Sequence, residues 1–102
     1  MIVEYIRYTI PEPEADAFVA SYTRAQASLQ KSTHCLGWEL SRCTEDATRF
    51  ILRIQWDSAE GHMQGFRKSP EFAPFLAEIR PYIARIEEMR HYALTAVAGV
   101  KG

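Results

Sequence analysis

WDSAEGHMQGFRKSPEFAPF, residues Trp56 to Phe75, holds two helix starts, a cluster of aromatics and the centrally placed histidine of the chain. It reads as the end of a strand running into two short helices. Asp57 ahead of Ser58-Ala59-Glu60 has capping-box spacing, in which an oxygen at 57 takes the amide at 60 and Glu60 reaches back. A helix is therefore predicted from about Ser58. Ser69-Pro70-Glu71 is a second start, with a capping hydroxyl, a proline that loses no helical bond in the first turn and a carboxylate near the positive end of the dipole. From about Pro70, Phe72, Phe75, Leu76 and Ile79 fall at helical spacing, and Pro81 is expected to stop the run.

Upstream, Ile2, Ile6, Tyr8 and Ile10 alternate with Val3, Tyr5, Arg7 and Thr9, a strand pattern that Glu4 breaks near an edge. Pro11 and Pro13 end it, and Glu12, Glu14 and Asp16 place negative charge where a helix dipole favours it. Ala15, Phe18, Tyr22, Ala25 and Leu29, widened by Val19, predict one amphipathic helix to about Lys31. Leu36, Trp38 and Leu40 mark a second strand, and Phe50, Leu52, Ile54 and Trp56 a third. The short polar link Thr44–Thr48 makes these two an antiparallel hairpin. After the helical pair, residues 82–97 are rich in strand formers and predict a long fourth strand.

The order strand, helix, strand, strand, broken helix, strand is that of an α+β ferredoxin-like sandwich, βαββαβ, with helices on one sheet face. Trp38, Leu40, Phe50, Leu52, Ile54 and Trp56 are expected to lie under the helices. The other face mixes Val3, Tyr5, Ile51 and Gln55 with Arg7, Glu39 and Arg53, too apolar for plain solvent and too charged for a dry interior, so a second copy of the chain is expected to cover it.

At 102 residues and 47% hydrophobic the chain fits one globular domain, placed at residues 1–97 with a C-terminal tail, 98–102. No run approaches the roughly 20 apolar residues of a membrane span. Glu4 and Arg7 interrupt any signal-peptide core, so the expected location is cytoplasmic. A net charge of -1 with scattered Lys and Arg offers nothing to nucleic acid. Cys35 and Cys43, eight apart on one predicted strand, would sit about 26 Å apart, beyond the roughly 7 Å limit for a disulfide.

No GxSxG, HExxH, GxGxxG or GxxxxGK[ST] pattern occurs, which argues against an ordinary hydrolase or nucleotide enzyme. What remains is aromatic: Trp38, Trp56, Phe66, Phe72 and Phe75 are either plain core or the walls of a pocket. His62 reads either as a solvent-facing helical histidine or as a general base. His91 and Tyr92 point to opposite faces, so at most one of them lines a given cavity. His34 falls in a loop. Arg53, Arg85 and Arg90 could orient an anionic oxygen or simply form ion pairs.

A strand-closing tryptophan followed by D-S-x-E, an aromatic about ten residues on, S-x-x-F and a returning strand resembles the antibiotic biosynthesis monooxygenase family; Gly37-Trp38-Glu39-Leu40 and His91-Tyr92 fit as well. The resemblance implies a homodimeric α/β barrel and a monooxygenase that oxidises a small aromatic, phenol or quinol with molecular oxygen, needing no metal, flavin or haem cofactor. For such a reaction His62 is the candidate catalytic base, with Trp38, Trp56, Phe66, Phe72 and His91 as candidate substrate-binding residues, chosen by their place in this sequence because the family offers no fixed catalytic set. Haem-degrading relatives carry a first-strand asparagine, a tryptophan on the helix after the third strand and a histidine four residues beyond the S-x-x-F phenylalanine. None of the three is matched here, where the last two positions hold Phe66 and Leu76. The alternative function is a non-catalytic dimeric module for a small hydrophobic ligand. A cavity with a polar group inside it separates the two.

Overall fold

A computed structural model describes all 102 residues. Strands β1 (Ile2–Thr9), β2 (Cys35–Arg42), β3 (Arg49–Trp56) and β4 (Ile86–Ala93) form one antiparallel sheet in the order β2-β3-β1-β4. Helices α1 (Ala15–Lys31) and α2 (Phe72–Ile79) join them in the predicted ferredoxin-like order. No helix is long and apolar enough to cross a membrane.

The helical stripe of α1 is as its sequence spacing requires, with Ala15, Phe18, Tyr22, Ala25 and Leu29 all buried. Val19 is not part of it and stays 41% exposed. Beneath the helices lie Ile6, Tyr8, Phe50, Leu52, Ile54 and Trp56, all buried, and the Tyr8 and Tyr22 hydroxyls hydrogen-bond each other inside this core. Trp38 and Leu40 belong to the same face but are only partly buried, because β2 is an edge strand. A register shift between Cys35 and Gly37 sends Leu36 outward, 53% exposed, and turns Cys35 toward the core. Both cysteines are free.

Three local expectations need correction. Asp57 is not the cap: the Ser58 hydroxyl accepts the Gly61 amide at 2.8 Å, while Asp57 is held by His34 Nδ1 at 2.9 Å. Nor does Ser69 cap a helix at Pro70, since its hydroxyl donates to the Phe66 carbonyl at 2.7 Å and α2 starts at Phe72. Finally, α2 ends at Ile79, ahead of Pro81 as expected, but the fourth strand does not begin at residue 82. Pro81 occupies the first turn of a 3-10 segment, Arg80–Arg85, where its missing N–H costs nothing, and this turn carries Tyr82 into the core and delays β4 to Ile86.

Between Trp56 and α2 the chain makes a π-helical segment, Gly61–Phe66, of the kind that often marks functional sites. Its two glycines permit close packing: a Cβ on Gly61 would fall 1.9 Å from Asp57 Oδ1, and one on Gly65 2.2 Å from the His34 ring. Gly65→Ala is therefore expected to expel the His34 ring and lower the thermal midpoint. Adding His34→Ala should recover most of the loss, a coupling readable in a double-mutant cycle.

On the face away from the helices, Val3 is buried, Arg53 bonds the Tyr5 hydroxyl and Glu39, both at 3.3 Å, and Tyr5 meets Tyr92 edge-on. Ile51 and Tyr92 remain 38% and 46% exposed there.

Candidate active site

Glu4, placed on the core face by strand alternation, is 2% exposed. Its direct partner across β1 and β4 is His91. The π-helical segment brings His62, 4% exposed, over the same spot. His62 Nδ1 and His91 Nε2 share a hydrogen bond of 2.6 Å; His62 Nε2 is 3.5 Å from Glu4 Oε1, and His91 Nε2 is 3.8 Å from Glu4 Oε2. Trp56 binds the cluster from one side, its Nε1 donating to Glu4 Oε1 at 3.1 Å and its ring stacked on His62 at 4.4 Å. Donor atoms of Glu4, His62 and His91 all lie within 4.8 Å of one another.

The cluster ends a cavity of about 210 Å³, whose walls include Trp56, Phe66, Phe72, Phe75, Ile83 and Met89, with Glu4 and His62 as its buried polar groups and Arg67 at its side. Ile83 and Met89, each 44% exposed, put its mouth at the surface. A wider groove of about 590 Å³ at the other end of the sheet is flanked by Arg7, Arg42, Arg49, Glu87 and Glu88 and holds none of these buried groups.

Burial sets the protonation states. It pushes the Glu4 carboxyl up to about 7, against the opposing pull of the Trp56 hydrogen bond and the Arg67 charge. It pulls His62 down to about 4, aided by His91 and Arg67, and lowers His91 as well. The cluster at neutral pH is thus two neutral imidazoles beside a carboxyl poised to gain or lose its proton.

The two large shifts oppose each other in stability. Glu4, raised from 4.5 to about 7, contributes stability that is full below 4.5 and lost as pH rises through 7; His62, lowered from 6.5 to about 4, contributes stability that is full above 6.5 and lost as pH falls through 4. Between 4.5 and 6.5 the folded protein keeps on Glu4 the proton that the unfolded chain keeps on His62, so the pair cancels. Glu4→Gln leaves the histidine unopposed. Relative to the parent, its unfolding free energy from urea melts should fall on acidification across that window, by up to about 1.4 kcal/mol per pH unit, the limit for one proton; parallel pH profiles for the two proteins would contradict this.

Of the residues singled out in the sequence, Trp56, Phe66 and Phe72 do line the cavity with His62. His62 is buried rather than solvent-facing. His91 is not a wall residue; it bonds His62 Nδ1 from the exposed side of the cluster. Trp38 is elsewhere, donating to Gln26 on α1 at 3.0 Å beside a separate groove. Arg53, Arg85 and Arg90 are spent on Glu39, Glu14 and Glu88, and the arginine near the cluster is Arg67. Glu4 and Arg67 are the residues the sequence reading missed. A charged residue at a core-facing position of a strand was the available signal for Glu4.

Comparisons place this geometry among known folds. The Bacillus subtilis uncharacterised protein YczJ is 23% identical over 92 residues, spanning 90% of this chain and 97% of that protein. A Bordetella bronchiseptica structure bearing an antibiotic biosynthesis monooxygenase designation superposes with TM-score 0.74 at 23% identity, covering 92% of this chain and 96% of its own. A variant of SnoaB, a cofactor-independent oxygenase from Streptomyces nogalater, superposes with TM-score 0.70 at 17% identity, covering 99% and 97%. The family model for antibiotic biosynthesis monooxygenases matches residues 1–78, and the chain belongs to that family.

Proposed function

We propose that the protein is a monooxygenase that oxidises a small phenol or quinol in the cavity beside Glu4 and His62. The observation that carries this reading is a buried carboxyl–imidazole cluster at the end of an otherwise aromatic and aliphatic cavity. Burying such groups costs stability, and a site where they meet a ligand gives that cost a function. The cluster accepts the phenolic proton, the anion donates electrons to oxygen in a dry site, and Arg67 stabilises the developing oxyanion. Oxygen then bonds to a ring C–H carbon ortho or para to the phenolate oxygen, and loss of water from the hydroperoxide leaves a second carbonyl: a phenol C₆H₆O plus O₂ gives a quinone C₆H₄O₂ plus H₂O, all four electrons coming from the substrate.

Size narrows the substrate. The cavity, about 210 Å³, exceeds the roughly 150 Å³ that holds benzene but falls below the range for drug-sized ligands. One- and two-ring phenols or quinols fit better than polycyclic ones. Oxygen uptake with a graded series of quinols and anthrones tests the reading. Uptake by the small members supports it; tight binding without uptake by any member would leave a hydrophobic-ligand module instead.

The same reading includes a homodimer in the cytoplasm. A second copy facing the sheet would cover Tyr5, Arg7, Ile51, Arg53 and Tyr92, a mixed surface that nothing covers in the single chain. Sedimentation is expected to give twice the chain mass at micromolar concentration, and a well-behaved monomer would refute it.

A further inference from the structure

We propose that Glu4, His62 and His91 also form a binding site for one divalent first-row transition-metal ion, beside the aromatic cavity. This goes beyond the oxygenase reading and does not depend on it. Three separate elements, β1, the π-helical segment and β4, converge their donors within 4.8 Å. Metal–ligand bonds of about 2.0–2.2 Å put neighbouring donors roughly 3 Å apart. The imidazole donors, His62 Nδ1 and His91 Nε2, are 2.6 Å apart, His91 Nε2 is 3.8 Å from Glu4 Oε2, and all three donors lie within 4.8 Å, so the imidazoles must part slightly and the carboxylate move inward to reach that value.

The donor set selects the ion. Two imidazoles and one carboxylate suit Zn²⁺, Co²⁺, Fe²⁺ or Ni²⁺, whereas Mg²⁺ and Ca²⁺ favour oxygen ligands. Outer contacts already orient the donors: Trp56 holds Glu4 Oε1 and stacks on His62, and such support typically tunes metal affinity. Glu4 and His62 line the cavity, so coordination positions that the protein leaves open would face it, as in sites where an ion meets a small molecule. An ion here takes the lone pairs that would otherwise accept a substrate proton. Metal loading and base chemistry therefore exclude each other, and an added ion is expected to inhibit oxygen uptake until a chelator removes it.

The test is Co²⁺ titration of the chelator-stripped full chain, followed by visible absorption and by equilibrium dialysis with metal analysis. One Co²⁺ per chain is expected, displaced by Zn²⁺ and not by Mg²⁺. Because the His91 side chain is 30% exposed, His91→Ala should keep the fold, checked by circular dichroism, and weaken Co²⁺ binding by at least about 10- to 100-fold. Glu4→Gln should do the same. His34→Ala, removing the histidine paired with Asp57 outside the cluster, should bind as the parent does. Absence of bound Co²⁺, undiminished binding in both His91→Ala and Glu4→Gln, or loss of binding in His34→Ala would overturn the site. The readout is ion stoichiometry, so failure here leaves any oxygen-uptake result standing, and failure of uptake leaves the ion site standing.

Discussion

Glu4→Gln is expected to lower quinol-dependent oxygen uptake by about 10²- to 10⁴-fold, the usual cost of losing a general base, while the chain still folds. The substitution keeps shape and one hydrogen-bond acceptor for Trp56 Nε1, now 3.1 Å from Glu4 Oε1, and removes only the capacity to take a proton. The assignment follows from the cluster's electrostatics. A group held at about 4, as His62 is, stays neutral at pH 7 but is a weak base; Glu4, held up to about 7, is ionised in part at that pH and is a far stronger one. With chelator present, the parental rate should rise with pH through about 7, where Glu4 loses its proton. An unperturbed imidazole would place that rise near 6.5 and His62 as it stands near 4. His62→Ala should also slow turnover, because it opens the cluster to water and removes the partner of His91. A Glu4→Gln variant as fast as the parent, with the rate rising near 4, would return the role of base to His62.

Much of this architecture is legible in the residues. The stripe Ala15, Phe18, Tyr22, Ala25, Leu29 gives α1 because burial alone dictates its spacing, and alternation gives β1 and the β2–β3 hairpin for the same reason. Alternation stops short of two things. It assigns a face but not a position across the sheet, so Trp38, on the edge strand β2, shares a face with Trp56 without sharing a cavity. It also marks a lone carboxylate as a break in pattern, and Glu4 reads as a strand edge until the β1–β4 register sets His91 opposite it. The site is assembled from positions 4, 62 and 91, and no sequence motif spans separations of that length. Nor does local propensity foresee the 3-10 turn at Arg80–Arg85: Tyr82 and Ile83 are good strand formers, yet Tyr82 turns inward onto Phe18, with ring centroids 5.0 Å apart. Packing of one aromatic outweighs the preference of a four-residue stretch.

Trp56→Ala is expected to cost about 3 to 5 kcal/mol of stability by the usual large-to-small penalty for a buried aromatic, with the upper end favoured here. The ring is fully buried and touches His62 and Phe66, at centroid separations of 4.4 and 5.1 Å. Truncation also strips Glu4 of its indole donor, and an unsatisfied buried acceptor adds about 1 to 3 kcal/mol. Trp56→Phe separates the two contributions, since it keeps most of the ring contact and removes the N–H; urea unfolding should place it between the parent and Trp56→Ala. The same variant links packing to chemistry. The indole hydrogen bond favours the Glu4 carboxylate, so its loss must raise the carboxyl further and move the rise of the pH–rate profile to higher pH than in the parent. A loss below about 1 kcal/mol in Trp56→Ala would contradict the burial of the ring. An unmoved pH profile in Trp56→Phe would mean that the proton governing the reaction is not the one on Glu4.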